Sequence, residues 1–315
     1  RGHDSDRFTR WEAGQRLFGQ LILANAARVA RGETAEWPAT VVEAARRVLL
    51  GGSDPAFVAE ALTLPGEATL AEQMDVIDPE ALHRARAGLA KTLATALEAD
   101  FSGVYASLKA VGAYRSDTDE AGKRRLRNLC LDYLNRLDSS DYRALAFQQF
   151  SSADNMTDQF AALAVLANNE GPERKIALDD FYTRWQHEAL VVDKWLSVQA
   201  SSSLPDTLLR VETLTRHPAF DLRNPNKVYA LLRTFGANHR HFHSADGDGY
   251  RFLAWQIAAL DPINPQVAAR LARCFDRWKK FDAVHQGHAR AALESLRNTA
   301  GLSRDVFEVV DKALQ

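Results

Sequence analysis

Four times along this chain an aspartate or asparagine is followed directly by proline and then by an apolar-periodic stretch: Asp54-Pro55, Asp78-Pro79, Asn224-Pro225 and Asn264-Pro265. One local structure suits all four. The Asx side chain accepts a hydrogen bond from an amide that the first turn of a helix leaves unpaired. Proline at the first helical position lacks only an N–H that would have no partner anyway. Each of the ten prolines can sit in a turn or a first turn. Thr69-Leu70-Ala71-Glu72 fits a further helix start, a capping box with Thr69 as the cap.

Between these marks the apolar residues recur at helical spacing. Trp11, Phe18 and Ile22 share one face, as do Leu126, Leu129, Cys130, Tyr133 and Leu134, and again Val228, Leu231, Leu232 and Phe235. The longest expected helix runs from Pro79 to about Val111, with Gly88 and Gly103 as its expected bends. Alternating runs of Val, Ile, Tyr and Thr are missing, so no strand is expected. About fourteen to sixteen short helices joined by short turns fit the length.

Such a series closes either as a globular bundle or as a stacked array of helix pairs. Successive pairs show no common sequence repeat. The expected fold is therefore all-α, an irregular superhelical (HEAT/armadillo-like) stack of antiparallel helix pairs. Length alone suggests about two domains, but no Pro/Gly/Ser-rich linker divides the chain. Ser201-Ser202-Ser203 reads as a turn. The expectation is one domain over residues 1–315.

A net charge of −2, with 25% charged residues, gives no general pull toward nucleic acid or an anionic membrane. No run of about twenty apolar residues is present. Cys130 and Cys274 lie in apolar helical patterns, too few for a disulfide framework, which points to a reducing, cytoplasmic compartment. The sequence opens Arg1-Gly2-His3-Asp4, and its only methionines are Met74 and Met156. That opening reads as a cut inside a longer polypeptide.

Three clusters invite a chemical reading. His187-Glu188-Ala189-Leu190-Val191 begins like a zinc-protease helix, but such a helix needs a second histidine where Val191 stands. His187 and Glu188 are read as polar turn residues. The second cluster spans His239, His241, His243, Asp246 and Asp248. Its Asp246-Gly247-Asp248-Gly249 segment resembles a calcium loop, yet the twelfth position falls on Ile257, where a bidentate acid is required. Zinc-type ligands are present without a fixed spacing. Glycines at positive φ, with Asp246 or Asp248 capping the next helix, account for the segment without a metal. The third set is basic: Lys123-Arg124-Arg125-Leu126-Arg127 and Arg277-Trp278-Lys279-Lys280. Each covers one turn and reads as a solvated or salt-bridged face. The six tryptophans are expected to anchor the core.

Ordered along the chain are several short motifs. Phe8-Thr9-Arg10-Trp11-Glu12-Ala13-Gly14-Gln15 is followed by Leu62-Thr63-Leu64-Pro65, Arg127-Asn128-Leu129-Cys130-Leu131 and Ala153-Asp154-Asn155-Met156-Thr157-Asp158. Then come Val192-Asp193-Lys194-Trp195, His217-Pro218-Ala219-Phe220, Asn224-Pro225-Asn226-Lys227 and Phe242-His243. The series ends with Asp246-Gly247-Asp248-Gly249-Tyr250, Asn264-Pro265-Gln266-Val267-Ala268-Ala269-Arg270-Leu271 and Leu302-Ser303-Arg304-Asp305-Val306. In this order and spacing they resemble the C-terminal helical domain of the bacterial aminopeptidase N family, over the whole chain.

The resemblance implies a parent zinc aminopeptidase that releases N-terminal residues from short peptides, in peptide catabolism. Its zinc ligands and catalytic residues would all lie upstream, so this fragment is expected to be inactive alone and to hold no cofactor of its own. Its partners would be the upstream catalytic domain of the same polypeptide and, through it, peptide substrates. The implied role is to cap the active site and restrict access. Arg270 matches a family arginine near the substrate-access cavity, where a cation could attract a peptide's C-terminal carboxylate. Tyr229 stands where a second family arginine is expected, which weakens a two-arginine clamp. Arg270 can equally be an ordinary inter-helix ion pair. A rival expectation is an independent helical-repeat scaffold that binds a protein partner on its concave face. A third is a metal-dependent hydrolase using the His239–Asp248 loop.

Overall fold

The computed structural model describes residues 2–109 and 114–315, with side chains from residue 8 onward. Arg1 and the expected helix end at Val111 lie outside the described residues. Among these residues the fold is all-α, with nineteen α-helical elements from Gly2–Ala30 to Arg304–Leu314. The excess over the expected number arises because several stretches are divided into separate short helices. Extended pairing is confined to one bridge, in which the Ile77 amide donates to the Lys280 carbonyl at 2.8 Å.

The Asx-Pro starts are where the sequence places them. Asp54 accepts from the amides of Ala56 and Phe57 at 3.0 and 3.3 Å, Asn224 from Asn226 at 3.0 Å, and Asn264 from Val267 at 3.1 Å. Helix Pro79–Ala96 begins directly after Asp78. Two local expectations are corrected. Thr69 lies inside helix Glu67–Ala71 instead of capping it, because Gly66 in extended conformation already starts that helix. The long helix breaks at Leu97 (φ −116°, ψ 21°) into Pro79–Ala96 and Glu98–Ser107, not at a glycine. Leu97 is fully buried, and its carbonyl accepts from the Phe101 amide at 2.8 Å. Gly88 stays helical and admits the Trp37 ring, 3.4 Å from where a Cβ would stand.

The chain forms two compact units, residues 1–72 with 81–177 and residues 73–80 with 178–315. In the first, helix Thr118–Asn135 packs on Pro55–Leu62 and Glu98–Ser107, and Ser140–Ser152 pairs with Met156–Ala167. Phe101 stacks on Tyr133 at 4.6 Å, and the Tyr133 hydroxyl donates to the Leu62 carbonyl at 2.7 Å. Gln15 donates to the adjacent Thr63 carbonyl at 2.9 Å. A buried polar network joins four helices. Asn128 Nδ2 donates to Asp158 Oδ1 at 2.9 Å and Asn155 Nδ2 to Asp158 Oδ2 at 3.0 Å. Gln149 Nε2 donates to Asn128 Oδ1 and to the Asp158 carbonyl, while its Oε1 accepts from the Tyr105 hydroxyl.

In the second unit an aromatic cluster of Phe235, Phe242, Tyr250, Phe252 and Phe275 forms the core, with edge-on rings such as Phe242 on Phe275 at 5.2 Å. Lys227 Nζ donates to Asp193 Oδ1 at 2.6 Å and to the Ala189 carbonyl at 2.9 Å, an ion pair whose side chains are 10% and 18% exposed. Trp195 donates to the Leu178 carbonyl and packs against Tyr182 and His217. Asp261 accepts from both the amide and the hydroxyl of Ser303 at the start of the last helix.

Asp158 carries the first unit's network. Asp158→Ala should leave the part-buried Asn128 amide without its acceptor and cost about 1–3 kcal/mol. A fall of several degrees in the unfolding midpoint, measured by calorimetry, is expected. A wild-type midpoint would show that the network contributes nothing net.

Candidate functional site

Helix Pro265–Ala272 buries Val267, Ala268, Leu271 and Ala272 and turns Arg270 to solvent. Tyr229 opens a π-helical segment, Tyr229–Arg233, that follows Pro225–Val228. The Thr234 amide reaches back to the Tyr229 carbonyl, one residue further than in an α-helix, and the Thr234 hydroxyl reaches the same carbonyl at 3.3 Å. Such insertions are frequent at functional positions. The two residues singled out by sequence come together: Arg270 Nη1 donates to the Tyr229 hydroxyl oxygen at 3.3 Å.

Arg233 joins them from the far end of the π-helical segment. Its guanidinium carbon lies 5.9 Å from the Tyr229 ring centroid, within cation–π range. Sequence reasoning missed it, although the Tyr229–Arg233 spacing of four was the available signal. Among the described residues no carboxylate lies within ion-pair distance of Arg270 or Arg233, whereas neighbouring Arg273 pairs with Asp276 at 3.4 Å. Arg270 also edges an open depression of about 580 Å³ whose other charged walls are Asp305, Glu308 and Lys312.

The other clusters resolve into structural roles. His187 lies in the turn after helix Pro172–Trp185. In the His239–Asp248 segment, His243 is 5% exposed, shares a 2.8 Å hydrogen bond with the Tyr250 hydroxyl and stacks on Phe281 at 4.1 Å. Gly247 has the left-handed φ of 74°, as expected there, and Asp246 accepts from the Asp248 amide at 2.9 Å. Gly249 serves close approach, since a Cβ there would collide with the His241 and Phe242 carbonyl oxygens. Among the described residues no three His, Cys, Asp or Glu side chains form a group able to hold a metal ion.

Within the basic runs, Lys123 pairs with Asp119 and Glu120, Arg125 with Glu60, and Arg127 with the Tyr105 hydroxyl. Lys279 and Arg290 flank the Trp278 ring, whose N–H donates to the Ala313 carbonyl. Burial pushes the Cys130 thiol up to about 12 and the Cys274 thiol up to about 11, which leaves both protonated. The tryptophans anchor the core only in part, since Trp11, Trp37 and Trp185 are half-buried. Trp195 and Trp278 are buried, but Trp255 is 67% exposed. It borders a groove of about 1000 Å³ together with Leu209, Phe220, Leu222, Asp246 and Arg251.

Comparison with known proteins adds the family context. The family model DUF3458_C, described as a domain of unknown function with ARM repeats, matches residues 2–315. Aminopeptidase N of Escherichia coli (strain K12) is 38% identical over 314 residues, covering 99% of this chain and 36% of that protein. Aminopeptidase N of Haemophilus influenzae is 37% identical over 313 residues, again with 36% of its length covered. The crystal structure of Legionella pneumophila aminopeptidase A in complex with aspartic acid superposes with a TM-score of 0.89 at 34% identity, covering 99% of this chain and 37% of that one. The chain thus spans about a third of the length of the relatives it matches.

The buried histidine supplies a pH test. Burial foremost, then the nearby His239 and His285, holds His243 well below the ordinary histidine range. The unfolded chain binds a proton near about pH 6.5 that the folded chain refuses, so stability should fall as pH drops below that value. His243→Gln removes this proton uptake. Melting curves between pH 7 and pH 5 should show a steeper loss for the wild type, and parallel curves would contradict the assignment.

Proposed function

This chain belongs to the DUF3458_C ARM-repeat family, and from that premise we propose that it is the C-terminal helical domain of an aminopeptidase N. In this reading residues 1–315 act as one domain that caps the active site of the parent enzyme and restricts which peptides reach it. The parent would be a cytoplasmic zinc enzyme that releases N-terminal amino acids from peptides, with zinc and its ligands supplied by the upstream catalytic domain. Arg270 and Tyr229 would line the substrate route.

The observation that carries the reading is the match along the whole chain to aminopeptidase N at 37–38% identity. The residues themselves are in keeping with it. Stacked helix arrays offer extended surfaces for recognition, and both thiols and His243 are held in their neutral forms by burial. The π-helical segment and the two arginines at Tyr229 are features that packing alone does not require.

Two measurements test the proposal. The 315-residue chain, assayed on aminoacyl chromogenic amides with and without zinc, should show no turnover, whereas the polypeptide extended toward its N-terminus should be active. Zinc-dependent turnover by the chain itself would overturn the division, with the His239–Asp248 segment as first suspect. In the extended polypeptide, kcat/KM should fall steeply between peptides of about four and about twenty residues. Equal values at both lengths would end the access-restriction reading.

A further inference from the structure

We propose that the groove beside Trp255 binds a free, extended peptide that carries one large apolar side chain next to lysine or arginine. The groove encloses about 1000 Å³, at the upper end of pockets that hold small ligands. It lies wholly within the second unit, on residues 205–259, and neither Tyr229 nor Arg270 borders it. Its two exposed apolar side chains come from different helices, Leu209 from Thr207–Leu214 and Trp255 from Asp248–Leu260. Phe220 and Leu222, both half-buried, extend the apolar lining. A single exposed tryptophan is ordinary, but large apolar side chains gathered along one cleft mark an interaction site.

Two features of the lining define the occupant. The first is charge. Glu212, Asp221, Asp246 and Asp248 border the groove against only two arginines, Arg216 and Arg251. Arg251 is already drawn to the Asp248 carboxylate and the Asp246 carbonyl. The excess of acid favours a cation at the rim. The second feature is Gln256. Its side chain is 3% exposed and lines the groove, and its Nε2 is buried without a hydrogen-bond partner among the described residues. A donor left in that state costs about 1–3 kcal/mol, which an acceptor in the groove would recover. A half-turn about its last torsion exchanges the NH2 and carbonyl ends, so the amide can meet either group of a peptide unit. Extended backbone leaves those groups free, whereas in a helix they bond one another. An extended peptide therefore suits Gln256 better than a helix. It also suits it better than a second copy of this chain, whose described residues are almost wholly helical or turn. The peptide's apolar side chain would pack on Leu209 and Trp255, and its cations would reach the acids.

The test uses the N-terminally extended polypeptide and the peptide Ala-Lys-Phe-Lys-Ala, acetylated and amidated so that it offers no free amine to an aminopeptidase. Hydroxyl-radical footprinting reads the oxidation of Trp255, and titration calorimetry reads affinity. Trp255 should be open to oxidation in the polypeptide alone and protected several-fold by the peptide. Replacing both lysines of the peptide by glutamate should weaken binding about fivefold or more. Trp255→Ala should do the same, and its exposed position leaves folding unaffected. Gln256→Leu should weaken binding about two- to tenfold, the range of one neutral hydrogen bond. Leu190→Ala, at an exposed apolar residue of the same unit outside the groove, is the control and should keep the wild-type affinity.

No binding, or binding without protection of Trp255, would overturn the site. Equal affinity for the lysine and glutamate peptides would overturn the cationic class of ligand, and wild-type affinity in Gln256→Leu would overturn the extended, backbone-bonded occupant. Trp255 already shielded before peptide is added would show the groove covered by another part of the same polypeptide and end the free-peptide proposal. None of these readouts is turnover, so the proposal stands or falls apart from the access reading.

Discussion

Asp158 is 7% exposed, and its carboxylate is held by the side-chain amides of Asn128 and Asn155. A buried carboxylate is costly unless such bonds are made, so helices Thr118–Asn135 and Met156–Ala167 must meet in one relative position or leave it undersatisfied. Apolar contact cannot impose that, because burial of surface is non-directional. The second unit uses the same device in ionic form. Lys227 must find Asp193 and the Ala189 carbonyl, and removing either partner of so enclosed a pair typically costs about 3–5 kcal/mol. In a fold made almost wholly of helices, with no strand ladder to set register, these directional contacts decide which turn faces which.

This explains why so much was legible before the fold was known. The short motifs that carry the family resemblance prove to be halves of such contacts. Gln15 binds the carbonyl of Thr63, Asn128 binds Asp158, Asp193 binds Lys227, Trp195 packs on His217, and His243 binds Tyr250. Each half stands in a different quoted motif, so the sequence displays the pins without showing how they pair. The all-α class was legible for a simpler reason. Asx-Pro starts are local, and their hydrogen bonds need nothing beyond three residues.

What the sequence hides is set by distant packing. Leu97 breaks a helix with neither glycine nor proline to mark it, held there by complete burial. Thr69 looks like a cap, yet a glycine three residues earlier starts the helix first. Trp255 occupies a helical position as apolar as its neighbours but lies on the side that the unit leaves open. Arg233 belongs to the same group. Its nearness to Tyr229 follows from their spacing of four, but no residue pattern in 229–233 announces the π-helical segment between them.

Charge is disposed differently in the core of this chain and on its surface. Three titratable groups of the core are held in their neutral forms by burial. Both thiols are raised far above neutrality by burial, and His243 is kept neutral between Tyr250 and Phe281. Groups that can only bind are left available at Tyr229, where two permanent cations flank a phenol. Guanidinium groups suit that task because they neither titrate nor transfer protons. A domain of the kind proposed, which would meet substrate and leave bond breaking to another part of its polypeptide, has reason to be built this way. Its exposed donors would then face the ligand, while its buried titratable groups serve the packing that holds those donors in place.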